Sequence, residues 1–119
     1  MQYLLLIYGN EGYFDKLTKS EREKISQEYG EYTQSIAKSG HLLGGNELDV
    51  VKKAATIRLR NGKRTVTDGP FAETKEQLGG YYLVEAKDHD EALALAERIP
   101  SARWGSIEVR PIIPHEMPS

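Results

Sequence analysis

Cysteine is absent from the 119 residues. Its absence excludes a disulfide framework, a thiolate zinc site and a cysteine nucleophile, and fits a reducing, cytoplasmic setting. No charge of one sign dominates either. With 16 basic residues against 18 acidic ones and a formal net charge of −2, no global field draws the chain to a polyphosphate backbone, and nucleic acid is not an expected partner. Long hydrophobic runs are also missing. The apolar run Tyr3 to Tyr8 has no basic leader and falls far short of the roughly 20 residues a membrane helix needs. It reads as a strand, and no membrane partner is expected.

What remains is an ordinary globular composition, 39% hydrophobic and 29% charged, which predicts one domain over residues 1–119 with a core that needs no metal or disulfide support. Gln2 to Tyr8 carries large apolar residues on both alternating faces, Tyr3, Leu5 and Ile7 on one and Leu4, Leu6 and Tyr8 on the other. A strand of this kind is covered twice. Gly9, Asn10 and Gly12 break it, and Thr18 with Glu21 three residues later forms a capping box that starts a helix near Lys19. Ile25, Tyr29, Tyr32 and Ile36 fall on one stripe of that helix, which should stop at Gly40.

The stretch from His41 to Lys53 shows no sustained period and reads as a connection, with room for a short strand at its start. Thr56 to Arg60 and Lys63 to Thr67 alternate around Asn61-Gly62, the signature of a two-stranded ribbon with a type I′ turn. Asp68-Gly69-Pro70-Phe71 is a turn, after which Thr74 to Leu78 is expected to make one helical turn. Tyr81 to Ala86 is a second strand apolar on both faces. Asp88 and Glu91 cap a second helix with Ala92, Leu95, Ala96 and Ile99 on one side, Pro100 ends it, and Ser106 to Ile112 makes a final edge strand.

The order β, α, hairpin, β, α, β predicts an α+β, ferredoxin-like split βαβ fold with an inserted β-hairpin, the two doubly apolar strands at the sheet centre and both helices on one face. The helices leave the other face bare, yet half of the apolar residues of the central strands point to it. A patch of that kind calls for a second copy, so a homodimer related by two-fold symmetry is expected.

Asp68-Gly-Pro-Phe-Ala-Glu-Thr-Lys-Glu-Gln-Leu-Gly-Gly-Tyr-Tyr-Leu-Val-Glu85 resembles the defining motif of the DGPF group within the YCII-related family, and Ile99-Pro-Ser-Ala-Arg103 and Gly105-Ser-Ile-Glu-Val-Arg-Pro111 resemble its closing motif. The resemblance runs from the first strand to Pro111. It implies a ferredoxin-like fold and dimeric α/β-barrel assembly, distant kinship with isomerases and cofactor-free monooxygenases, and an indirect link to extracytoplasmic-function sigma factors. It further implies a histidine and aspartate pair, for which Asp68 supplies the aspartate and His41 is the candidate partner.

Read from its surroundings in the sequence, Asp68 is either a general acid or base desolvated by Phe71 and nearby tyrosines, or a turn cap that accepts backbone amides. His41 would carry protons or face Asp68; otherwise it is an exposed loop residue. Phe71 and Tyr82 are candidate walls of a pocket, Thr74 and Lys75 a candidate anion hold at a helical turn, and Arg58 a basic contact on the hairpin. Tyr81 and Tyr82 must face opposite ways, one to the bare face and one beneath a helix. Gly79-Gly80 would let a ligand approach the backbone; otherwise it serves close packing or a bulge. Trp104 reads as a packing lid, and His89 and His115 as solvated. No histidine pair has ligand spacing, so neither metal nor cofactor is expected. Two functions follow: a small-molecule-binding protein or enzyme with acid/base chemistry on Asp68, or a non-catalytic regulatory protein associated with a sigma factor.

Overall fold

The computed structural model describes residues 1–115. Eight strands and helices are arranged as β1 Gln2–Gly9, α1 Lys19–Lys38, β2 Leu42–Glu47, β3 Ala55–Arg60, β4 Lys63–Asp68, β5 Gln77–Glu85, α2 His89–Glu97 and β6 Ser106–Pro111. The four longest-range partners make one antiparallel sheet in the order β2-β5-β1-β6, and β3 and β4 make a separate two-stranded sheet. The centre of the four-stranded sheet is β1 and β5, the two strands apolar on both faces. The architecture is the expected ferredoxin-like α+β fold.

Local chemistry sets the helix ends. Thr18 Oγ1 accepts from the Glu21 amide and the Glu21 carboxylate accepts from the Thr18 amide, which completes the capping box. At the other end Gly40 takes φ +85°, its amide reaches Ala37 O and the His41 amide reaches Ile36 O, the paired bonds of a Schellman stop. Asp88 caps α2 by accepting from the Glu91 amide, whereas Glu91 accepts from the Lys87 amide, one residue before the cap.

Both helices cover one sheet face. Tyr3 and Leu5 of β1 and Val84 of β5 meet Tyr32 and Ile36 of α1 and Ala92, Leu95 and Ala96 of α2 in a single buried core, closed by Ala86 and Ile99. Ile107 and Val109 of β6 pack against it from the edge. The register then fixes the opposite face: Leu4 lies across from Leu83 and Arg110, Leu6 across from Tyr81 and Glu108, and Tyr8 across from Ser106.

Two local expectations are revised. The stretch after His41 does begin with the strand for which the sequence left room, and it runs as an edge strand, β2, paired with β5 from Leu42 to Glu47. Its glycines and polar residues hide it from an alternation test, because an edge strand is held by backbone bonds rather than by burial. Thr74 to Leu78 makes no helical turn: Gln77 and Leu78 already pair with Gly9 and Tyr8 as the start of β5. The ribbon β3-β4 is as expected, with Asn61 at φ 52° and Gly62 at φ 76° in the type I′ turn. It stands apart from the main sheet as an arm inserted between β2 and β5. A bulge at Gly79 lets β5 pass β1, and a Cβ on Gly80 would stand 2.9 Å from the Asn46 carbonyl oxygen.

Candidate functional site

The sheet face that carries no helix has an apolar floor of Leu4, Leu6 and Leu83, all half-buried against one another. Polar groups ring this floor. On one side Tyr8 OH reaches Glu108 Oε1 at 3.4 Å, and Arg110 Nη2 grips Glu108 Oε2 at 2.6 Å. That arginine bond holds the Glu108 carboxyl below its usual range. On the other side Asn46 Nδ2 donates to Tyr81 OH at 2.8 Å. With its oxygen already accepting from Asn46, the Tyr81 hydroxyl keeps its own proton to donate. The arrangement is a greasy plate with a phenol donor at one rim and a carboxylate anchored at the other.

Of the two tyrosines that open the apolar half of β5, Tyr81 is therefore the one on the bare face. Tyr82 is corrected as a wall of that face. Its ring lies edge-on to Tyr32 at 5.3 Å, and its hydroxyl bonds Thr33 Oγ1 at 2.7 Å beneath α1. Strand alternation requires the split but does not say which way it falls.

His41 and Asp68 are not brought together. His41 Nδ1 lies 2.6 Å from Ser39 Oγ and Nε2 lies 3.2 Å from Glu91 Oε1, so the ring ties the end of α1 to the start of α2. Its carbonyl accepts from the Glu85 amide at one end of the β2-β5 pair, whereas the arm leaves from the other end, where the Leu48 amide reaches Gly79 O. The length of β2, roughly 20 Å at about 3.3 Å per residue, lies between. Asp68 closes β4 opposite Ala55. It is exposed, and among the side-chain hydrogen bonds of the described residues none uses its carboxylate.

The other candidates gather at the root of the arm. Phe71 is 79% exposed, so it shields nothing within the single chain. Arg58 Nη2 reaches Phe71 O at 3.4 Å and Thr56 Oγ1 reaches Gly69 O at 2.9 Å, which fastens the arm to the turn after it. Thr74 donates to Glu76 O and accepts at its carbonyl from Gln77 Nε2, a closed local loop in place of a helical anion hold. Lys75 is exposed beside it. Trp104 stacks on Tyr13 at 4.9 Å and meets Phe14 edge-on, a packed corner as expected.

Two concavities are present elsewhere. One, of about 550 Å³, lies open between α1 and the segment after α2, lined by Glu28, Glu31, Tyr32, Arg98 and Arg103, with Arg103 bridged to Glu28 at 2.7 Å. The other, about 210 Å³, lies between α2 and β6. Neither touches Asp68 or the bare face. No three His, Asp or Glu side chains converge on a metal-sized site among the described residues, and none of their helices is long and apolar enough to cross a membrane.

Sequence reasoning missed Asn46, Glu108 and Arg110. A usable signal exists for the last two: β6 alternates Ile107 and Val109 with Glu108 and Arg110, and the polar set of an edge strand marks the side away from the helices.

The comparisons with known proteins agree with this architecture. The model of the YCII-related domain matches residues 1–116. An uncharacterised protein of Rhizobium meliloti (strain 1021) is 38% identical over 124 residues, covering the whole of both chains. Among solved structures, 5-chloro-2-hydroxyhydroquinone dehydrochlorinase from Burkholderia phenoliruptrix AC1100, in complex with 2,5-dihydroxybenzoquinone, is similar in fold at a TM-score of 0.55 and 15% identity, with 95% of this chain and 94% of that one covered.

Proposed function

The chain belongs to the YCII-related domain family, and from the geometry of its bare sheet face we propose that it binds a small, mostly apolar molecule with a polar edge between that face and a second copy. The observation that carries this reading is the pairing of an apolar floor, Leu4, Leu6 and Leu83, with a phenol whose proton is free to be given, Tyr81. A floor of this kind excludes water, and a few directed polar groups then orient the ligand. The solved structure of similar fold holds 2,5-dihydroxybenzoquinone, a small ring molecule. Two copies face to face turn each open plate into one wall of an enclosed space.

In this reading Asp68 and Phe71 join the site from the root of the arm once the second copy closes it. Asp68 then moves a proton, as isomerisation or cofactor-free oxygenation requires, and Phe71 covers the ligand. His41 takes no part, because Ser39 and Glu91 hold it at the other end of β2.

Ligand-observed NMR with a set of hydroxylated aromatics and cyclic ketones tests the proposal. A bound member should lose about tenfold in affinity in Tyr81→Phe, the size expected for one hydrogen bond, and keep it in Tyr82→Phe. Asp68→Asn should retain binding and melting temperature while halting exchange of the ligand's carbon-bound protons with deuterium. Binding untouched by Tyr81→Phe would remove the bare face as the site, and exchange untouched by Asp68→Asn would remove the acid/base role.

A further inference from the structure

The arm β3-β4 is built as an amphipathic ribbon with only one side attached. Its polar side carries Thr56 and Arg58, which bond to Gly69 O and Phe71 O of the same chain. Its other side carries Ile57, Leu59 and Val66, which are 60%, 65% and 51% exposed, with Ile57 directly across from Val66, and Arg64 across from Leu59 and Asp68 across from Ala55 at its two ends. Apart from each other, the two strands make no extensive contact with any helix or with the main sheet. A lone two-stranded ribbon is at best marginally stable in water, and three large apolar residues on one exposed side form a patch that a soluble chain covers.

Charge narrows what covers it. Arg58, Arg60, Lys63 and Arg64 put four cations on the ribbon against Asp68 alone, in a chain of formal net charge −2, so the rest of the molecule is distinctly acidic. A second copy therefore offers the arm an oppositely charged body, and two-fold symmetry gives each copy's arm the same partner surface. The segment that leads from β2 to the arm adds exposed apolar residues, Leu48 at 41% and Val50 at 40%.

We infer that the arm is an intersubunit clasp: it reaches across to a second copy and seats Ile57, Leu59 and Val66 against that copy's surface. The clasp rests on the pairing of copies proposed above and adds to it. It closes the end of the sheet from which Asp68 and Phe71 would enter the site, so the two arms would decide access to the enclosed space.

Because the chain has no cysteine, a single introduced one is labelled uniquely. Leu59→Cys on the apolar side and Thr65→Cys on the polar side, each carrying a benzophenone photocrosslinker, would be irradiated at micromolar concentration beside unlabelled sedimentation runs. Position 59 should yield covalent dimers joined to the second copy, and position 65 should yield several-fold fewer. Ile57→Asp combined with Val66→Asp should weaken dimerisation at least tenfold and leave the far-ultraviolet spectrum of the body unchanged. A wild-type dimer whose position 59 crosslinks within its own chain, or not at all, would overturn the clasp and leave the pairing standing. A wild-type monomer would overturn both.

Discussion

Three phenols meet on the inner side of α1, and each bonds through its hydroxyl to a different neighbour. Tyr32 donates to Leu95 O of α2 at 2.8 Å, Tyr29 shares a short bond with Ser101 Oγ, and Tyr82 bonds Thr33, whose own proton goes to Tyr29 O. Burial pushes the Tyr32 phenol far above its ordinary value, with the nearby Tyr82 adding to the effect, and burial likewise raises Tyr29. An acid whose folded value is raised stabilises the fold fully below its unfolded value, about 10 for a phenol. That stability is lost as pH climbs from about 10 towards the folded value. Alkaline titration followed at 295 nm should therefore show Tyr29 and Tyr32 ionising only as the far-ultraviolet signal collapses. In Tyr32→Phe the alkaline unfolding should be less steep in pH, having one fewer proton to release. Smooth ionisation of all seven tyrosines before any unfolding would contradict the packing under α1. The same scale shows where sequence reading stops at a single residue. Alternation separates Tyr81 from Tyr82, but with both faces apolar it cannot assign them, and only the bonds to Asn46 and Thr33 do so.

At the scale of elements, glycine positions separate steric need from tolerance. Gly80 of β5 sits where a Cβ would meet the Asn46 backbone carbonyl at 2.9 Å, and Gly45 of β2 faces the Tyr81 carbonyl at the same distance. The two strands approach too closely for side chains at these points. Gly80→Ala must push β2 outward and should cost about 1–3 kcal/mol. Gly30, on the exposed side of α1, has nothing within 4 Å of its would-be Cβ. There alanine should stabilise by about 0.5–1 kcal/mol, because glycine is the poorer helix former. Urea unfolding of the two variants measures both signs; equal effects would mean that β2 yields freely. Elements whose ends are set by local chemistry were legible in the sequence: the Thr18 box, the Gly40 stop, the Asn61-Gly62 turn and the Asp88 cap. Of β2 only room for a short strand was legible, since glycines at 44 and 45 and a polar outer row leave only backbone pairing to hold it. The start of β5 was masked in the same way by Thr74 and Gln77, whose side chains close a local loop that imitates a helix cap.

At the scale of the whole molecule, the described chain is a slab. Its extents are 47 × 46 × 22 Å and its radius of gyration is 16.7 Å, against about 13.5 Å for a compact chain of this length. The excess comes from a sheet covered on one side and an arm that leaves the body. Both features lose apolar exposure if two slabs meet by their bare faces, and the expectation of such a pair arose from strand alternation alone. The site was legible only to that extent: its floor follows from the pattern of β1 and β5, whereas the closure proposed for it rests on a second molecule that no residue spacing describes. Leu4 isolates the test. It lies across from Leu83 and Arg110, and Arg110 is already engaged by Glu108, so in Leu4→Glu the new carboxylate stays hydrated in the single chain but loses that water once buried between two copies. Sedimentation equilibrium should find the wild type dimeric at micromolar concentration and Leu4→Glu shifted to monomer by at least tenfold in dissociation constant, with helix content unchanged. The wild type's melting temperature should also rise with protein concentration, because pairing stabilises only the folded chain, and that dependence should vanish in the variant. A concentration-independent melt in both would leave the bare face without a partner and the proposed enclosure without its second wall.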